Sequence, residues 1–519
     1  MVITPSPFPA FGRKHDCRHL VQFLFIMIVY QERRPPDLLR SFQPSPETLP
    51  MSCEPLNTTS RSTDEVSTRR QFLSDTAGLA AATAAAVSFP TMTLAQTTVP
   101  AVHPGEDNTI RLALIGCGGR GSGAVANAMN SSHLGPVKLV AMADVVESRL
   151  EGSHKALSEM FTDRIDVPKD RRFIGFDAYK NAIDCLGSND IAMLTNFAYF
   201  RPTQLEYAVE KGVNVFMEKS FAPDAPGLRR LIKAGEAAEP KNLKIATGLM
   251  CRHSVNRQAM IDRIRNGEMG DLQLIRAYRL HQFGGMGAMP EGTDELLWQV
   301  QNYLRFFWIS GGLFIEMNIH QIDEICWLKD ALPVTALGIG GRAANSTNRG
   351  QGFDSMSVEW TFADGTKATD DVRWLGGDCF NDFATYVHGT KCAGQFSGNI
   401  HAGTSRIYKD QRIQKDNIAW EAPKEEINPW DAEWNVLLDS IRNDKPQNET
   451  RRAAMSNFAD LMGRAALHSG RLITWDEMYH SNFQFVENID ELNYDSEPPV
   501  KADADGFYPT PIPGVWSET

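Results

Sequence analysis

Residues 108–121, NTIRLALIGCGGRG, run a β-rich apolar segment straight into a glycine cluster that can open a helix. Gly116, Gly118 and Gly121 form G-x-G-x-x-G, with Gly119 and Arg120 between the last two. In such a pattern the first glycine permits a tight turn, the second lets backbone approach a pyrophosphate, and the third lets helix and strand pack closely. A second apolar run, 137–143, ends at Asp144, 23 residues beyond Gly121. A carboxylate there accepts hydrogen bonds from an adenosine ribose and repels a 2′-phosphate. The order of strand, glycines, helix, strand and acid predicts a dinucleotide site that favours NAD over NADP, with Arg120 and Arg149 placed to soften that preference.

Short apolar runs continue to alternate with helix-like segments as far as about residue 247. That alternation predicts an α/β fold, a Rossmann-type doubly wound parallel sheet over 108–247. Its candidate strands are 111–115, 139–143, 191–195, 214–217 and 244–247, and 204–211 and 226–238 carry helical periodicity, the first closed by Gly212. After Gly248 the texture changes. Segments 272–280, 334–340, 357–362, 366–372 and 384–388 alternate like half-buried strands, with Ala363-Asp364-Gly365 as a hairpin turn. With helices expected at 261–266, 314–328, 430–442 and 450–469, residues 248–480 read as a second, α+β domain. A mostly antiparallel open sheet would carry its substrate and oligomerisation surfaces. Residues 481–519, proline-rich after Asp495, read as an extended C-terminal tail.

The segment before the glycine cluster has a different character. In 67–95, Arg69-Arg70 is followed by Phe72-Leu73, an alanine-rich apolar stretch, and small residues before Gln96. This resembles a twin-arginine export signal with cleavage after Ala95. Residues 1–95 are accordingly a leader, with 1–50 an over-extended gene start and 51–95 the signal. The apolar patch 20–30 is too short to span a bilayer. The expectation is a protein handled by the twin-arginine machinery, periplasmic or otherwise extracytoplasmic, and soluble after cleavage. That route moves folded proteins, so a nucleotide can travel inside and stay tightly bound. The net charge of −12 and the lack of a dense basic tract after the leader argue against a nucleic-acid partner. Eight cysteines without C-x-x-C spacing suggest neither structural zinc nor a disulfide framework.

Further chemistry-bearing segments follow the glycines in order: Thr195-Asn196 at a strand end, FMEKS at 216–220, and GGLFIEMNIHQIDEICW at 311–327. Lys219 stands at the carboxyl end of the expected strand 214–217, where open α/β sheets bind ligands. Glu316 and His320, four residues apart in a helical stretch, share a face, and Asp323 follows one turn on. Imidazole, with an unperturbed pKa of about 6.5, suits the acceptance of a hydroxyl proton while hydride leaves the same carbon.

Taken in order, these segments resemble the Gfo/Idh/MocA oxidoreductase family, which includes glucose–fructose oxidoreductase and inositol dehydrogenase. The resemblance covers about residues 110–480, and IRNGEMGDLQLIRA at 264–277 is similar to the family's entry into its second domain. It implies that Glu218-Lys219 matches the family's Glu-Lys-Pro motif, whose lysine bridges nicotinamide ribose and substrate hydroxyl. It also implies that Glu316 and His320 match an Asp-x-x-x-His pair with histidine as general base, and that Asn196 contacts the nicotinamide side. Ser220 stands where the family has proline, and Glu316 where it has aspartate. Arg252, His253 and Asp323 are further candidates for substrate contact. Glu316, His320 and Asp323 lack another ligand at metal-binding spacing, so no metal is expected. The aromatic stretch Trp298, Tyr303, Phe306, Phe307 and Trp308 either stacks a sugar or packs as core or interface.

The leading functional reading is an NAD-dependent dehydrogenase acting on a CH–OH group of a sugar, sugar derivative or cyclitol, in a homo-oligomer. His320 would take the proton, Lys219 would polarise the oxygen, and Glu316 would orient the pair. One alternative is a glycosidase that uses bound NAD for transient oxidation and elimination. The other is a non-catalytic sugar-nucleotide sensor on the same fold.

Overall fold

The computed structural model describes residues 108–344, 346–396, 405–487 and 489–519. The leader expected at 1–95, with its export signal, lies outside the described residues.

Strand β1 (Ile110–Ile115) is apolar at nearly every position and buried at all but Arg111. A strand apolar on both faces belongs in the middle of a parallel sheet covered by helices. It pairs in parallel with β2 (Val137–Asp144) on one side and β4 (Ile191–Leu194) on the other. With β3 (Arg172–Ile174), β5 (Asn214–Met217) and β6 (Ile245–Thr247), the sheet runs β3-β2-β1-β4-β5-β6. Strand order reverses between β1 and β4, so a crevice opens at the carboxyl ends there. Helix α1 (Gly119–Asn130) starts from the glycine turn that follows β1.

The second sheet contains β7 (Leu272–Leu280), β8 (Thr335–Gly341), β9 (Ser355–Thr361), β10 (Lys367–Arg373), β11 (Asp382–Gly389), β12 (Ala393–Phe396), β13 (Arg406–Tyr408), β14 (Ile418–Glu421) and β15 (Ile473–Thr474). Its order is β14-β13-β12-β11-β7-β10-β9-β8-β15. Among the described residues only β7 and β10 pair in parallel there; the other pairs are antiparallel. The β9–β10 hairpin turns at 363–365, as its sequence predicts.

Helix α2 (Gly312–Lys329) joins the two halves. Fifteen of its 18 residues are buried, including Glu316, His320, Asp323 and Glu324, so its ionisable side chains must find partners inside the protein. One continuous core packs α2 and helix α4 (Thr450–Ser469) with residues of both sheets. Helix α3 (Pro429–Arg442), from the segment expected in the second domain, returns to the first. Its Trp434, Leu437 and Leu438 join the core of β1 and β2, and the Trp434 ring lies 4.5 Å from Phe216 on β5. The tail after the last helix packs back on the chain, with contacts to the first domain at Val145 and to the second at Glu295 and Gln299. Among the described residues no helix is long and apolar enough to cross a membrane.

Candidate active site

The crevice at the β1/β4 reversal is a cavity of about 340 Å³ lined by the glycine turn, Asp144, Arg149, Phe176, Asn196, Glu218, Lys219, Tyr303 and Glu316. Gly116 adopts φ +97°, and a Cβ there would stand 2.5 Å from the Asn196 nitrogen. Gly121 is closed in by the Gly116 carbonyl and by Thr195 Oγ1, so both positions demand glycine for the turn to sit against β4. A Cβ at Gly118 or Gly119 would meet open space, which leaves their backbone free to face a ligand. Asp144 ends β2, accepting from the Cys117 N–H at 2.6 Å and the Val146 N–H at 2.8 Å. Burial pushes its carboxyl above the ordinary range, opposed by those N–H groups and by Arg149. Asn196 Oδ1 is buried without a hydrogen-bond partner. A shaped glycine cradle, an acid at the second strand's end and an orphaned acceptor on the wall fit a dinucleotide.

Arg120 turns away from Asp144. Its Nε lies 2.8 Å from Glu218 Oε1, and Nη2 donates to Asn127 Oδ1 at 2.8 Å. Of the two arginines placed by sequence near the ribose acid, Arg149 alone keeps its charge directed at Asp144. Burial raises the Cys117 thiol far above its usual range, which makes this residue a packed neutral neighbour of the turn.

At the other end of the cavity, α2 meets the loop after β5. Lys219 Nζ donates to the Glu316 carbonyl at 2.6 Å and to Glu316 Oε2 at 3.0 Å. Ser220 Oγ donates to Glu316 Oε1 at 3.0 Å. The two residues that depart from the motifs the sequence resembles therefore touch, the glutamate carboxylate accepting from a hydroxyl that proline would not offer. Two of the three ammonium protons of Lys219 are engaged, leaving one for a substrate oxygen. His320 lies one helical turn beyond Glu316 and is 7 % exposed. It does not line the cavity. Burial, with the charges of Lys219 and Arg279, holds its imidazole well below the usual histidine range, against the opposing pull of Asp323. The ring is neutral at physiological pH, the form a general base needs.

Arg252 and Asp323, candidates for substrate contact, are committed to each other. Arg252 Nε and Nη2 donate to the two Asp323 oxygens at 2.8 and 2.9 Å, and Ser456 Oγ adds a bond at 2.6 Å. Asp323 is 1 % exposed, and neither residue lines the cavity, so the pair fastens α2 to α4 and to the loop after β6. His253 faces Glu449 at 3.5 Å instead. In the aromatic stretch, Phe306, Phe307 and Trp308 are core. Only Tyr303 reaches the cavity, its ring 4.7 Å from that of Phe197. Arg201 carries no motif and was not anticipated. Its guanidinium is fully buried and donates to the carbonyls of Ser220, at 2.5 Å, and Asn196, at 2.7 Å, tying the loops after β4 and β5 together. Among the described residues no cluster of histidine, cysteine and carboxylate side chains is suited to a metal.

No protein-family model matches the chain. An inositol 2-dehydrogenase from Cereibacter sphaeroides is 25% identical over 170 residues, 33% of this chain and 44% of that protein, so the match spans less than half of the relative's length. Among solved structures, an oxidoreductase from Thermotoga maritima aligns with a TM-score of 0.53 at 17% identity, covering 71% of this chain and 99% of its own. The WlbA dehydrogenase from Bordetella pertussis, in complex with NADH and UDP-GlcNAcA, aligns at 0.55 and 16%, covering 70% and 98%. Scyllo-inositol dehydrogenase from Lactobacillus casei, with bound NAD(H) and scyllo-inositol, aligns at 0.51 and 20%, covering 71% and 99%. The chain shares the fold of these solved structures, a parallel Rossmann-type sheet followed by a mostly antiparallel one, as its sequence leads one to expect.

Proposed function

We propose that this protein is an NAD-dependent oxidoreductase acting on a CH–OH group of a sugar, sugar derivative or cyclitol. The observation that carries the reading is the meeting of Lys219, Ser220 and Glu316 at one end of a glycine-cradled cavity, with His320 one turn behind. Fold relatives in complex with NAD(H) and a cyclitol or sugar nucleotide support the same reading.

NAD, bound along Gly116 to Gly121 with its ribose at Asp144, would supply the hydride acceptor. The chain's own residues supply the rest. Glu316 holds the Lys219 ammonium in place through carbonyl and carboxylate, and Ser220 fixes the carboxylate that does the holding. The remaining Lys219 N–H donates to the substrate oxygen and stabilises the negative charge that develops as its proton leaves. His320, kept neutral by burial and the nearby cations Lys219, Arg279 and Arg257, would receive that proton. Asn196 and Glu218 line the cofactor side, where Arg201 fixes their loops from behind.

We also propose export by the twin-arginine route, with the cofactor tightly held, and assembly into a homo-oligomer. The exposed Ile339 and Leu337 on β8 suit burial against another copy. The direct test of the main reading is mass spectrometry of nucleotide released from the purified protein, followed by a screen of sugars and cyclitols for cofactor reduction. Recovery of NAD(H) and reduction by at least one polyol is the expected result. A protein that binds no dinucleotide would refute it.

A further inference from the structure

The tail 481–519 leaves the first domain's flank and returns to its own starting point. Arg229 Nη1 donates to the Ser481 carbonyl at 2.9 Å, and Ser481 Oγ donates to the carbonyl of Glu518 at 2.7 Å. Glu518 is 3 % exposed, and its carboxylate accepts from Arg464 Nε at 2.8 Å and Trp516 Nε1 at 2.9 Å, with His468 Nδ1 2.7 Å away. The tail is thus a closed strap, clasped at its base. Its first part runs over the first domain, where the Tyr199 hydroxyl donates to the Val486 carbonyl and Thr203 Oγ1 donates to Asp490 Oδ1 at 2.8 Å, and its later part is bonded to Glu295, Gln299 and Arg349 of the second. It then reaches the cofactor cleft. The Tyr494 hydroxyl donates to the Val145 carbonyl at 2.8 Å, and the Tyr494 ring meets Phe176 edge-on at 5.2 Å. Val145 and Phe176 line the cavity beside Asp144.

We propose that Tyr494 is a positioning residue for the adenosine half of the dinucleotide, and that the strap makes release of the cofactor depend on undoing this contact. The inference rests on the dinucleotide reading of the cavity. Its physical content is local. Val145 follows the ribose acid directly, and Phe176 supplies a flat apolar surface of the kind an adenine ring packs against. Neither is fixed by the first domain alone at this point: the strap's hydroxyl holds the backbone of one and the strap's ring abuts the side chain of the other. Among the described residues, none of the strap lines the cavity, so it acts there through Val145 and Phe176. A device that grips one half of a dinucleotide should change its residence time and leave the binding of the other half alone.

The test uses the full-length mature protein and two variants. Tyr494→Phe removes the hydroxyl and keeps the ring; Tyr494→Ala removes both. Release of preloaded labelled NAD into excess unlabelled NAD is timed, and binding of ADP-ribose and of nicotinamide mononucleotide is titrated separately. A neutral hydrogen bond of ordinary strength corresponds to about a five-fold change, so Tyr494→Phe is expected to release NAD about five-fold faster. Tyr494→Ala, losing the edge-on ring as well, should exceed about ten-fold. ADP-ribose should weaken in parallel, while nicotinamide mononucleotide binding stays unchanged. Unchanged release in Tyr494→Ala, or equal weakening of both halves, would overturn the proposal while leaving the dinucleotide site standing. A parent protein that binds neither NAD nor ADP-ribose would overturn the proposal and the cofactor reading together.

Discussion

Asp370, on β10, is fully buried behind α2, with one oxygen accepting from Asn318 Nδ2 at 2.6 Å. Burial raises its carboxyl from 3.8 to about 7, with Asp371 adding to the effect and Asn318 and Arg279 opposing it. The unfolded chain gives up this proton near the ordinary value, whereas the folded protein keeps it until neutrality. Folded protein therefore binds more protons between those values, and stability from this group is full below pH 4 and falls as pH rises through about 7. In Asp370→Asn that loss disappears, while an amide oxygen can still accept from Asn318. At about 1.4 kcal/mol per pKa unit, the variant should gain about 4 kcal/mol over the parent at pH 8 and about 2 kcal/mol at pH 5. Chemical denaturation of both proteins at several pH values reads the difference directly. A gain that is the same at pH 5 and pH 8, or that shrinks as pH rises, would refute the reasoning.

Other parts of the structure make equally definite statements. Asp144→Ala should narrow the proposed preference for NAD over NADP in paired binding titrations, since a carboxylate at that position would repel a 2′-phosphate; equal affinity of the parent for both nucleotides would contradict that role. Arg252→Ala leaves a buried Asp323 short of its main partner and should cost about 3–5 kcal/mol of folding stability with little change in substrate KM. A large KM change at intact stability would return Arg252 to the substrate site. Replacing Arg69 and Arg70 by lysine should leave unprocessed precursor inside the cell, as followed by fractionation and N-terminal sequencing; undiminished export would show the leader to be something else.

The first domain was legible because its central strands are unbroken apolar runs, and a run such as 110–115 has few alternatives in a chain of this composition. β3 escaped notice for the opposite reason: it is a short edge strand, half-exposed along its length, without alternation to betray it. The short strands β12 to β15 carry too few residues for a period to emerge. The helical pattern at 430–442 was plain, yet nothing local says which sheet an apolar stripe will cover, and Trp434 packs on the first. Site residues divide along the same line. Lys219, Glu316 and His320 sit at positions where strand ends and helix faces declare themselves. Arg252 and Asp323 had the right chemistry and the wrong surroundings, because burial between α2 and α4 turned them toward each other. Arg201 ties two neighbouring loops through their backbone carbonyls without any motif to announce it, and Tyr494 and Glu518 make contacts far along the chain, which no spacing rule encodes.

The central claim is that hydride leaves a carbinol carbon for a bound nicotinamide while His320 takes the hydroxyl proton. It is tested most directly by incubating the purified protein with NAD and polyols deuterated at their carbinol carbons, then weighing the released nucleotide. Parent protein should yield deuterated NADH from at least one polyol, and His320→Ala should do so about two to four orders of magnitude more slowly with NAD affinity nearly unchanged. Deuterium transfer at the parent's rate in His320→Ala, or none in a parent that binds NAD across a broad range of sugars and cyclitols, would contradict the account.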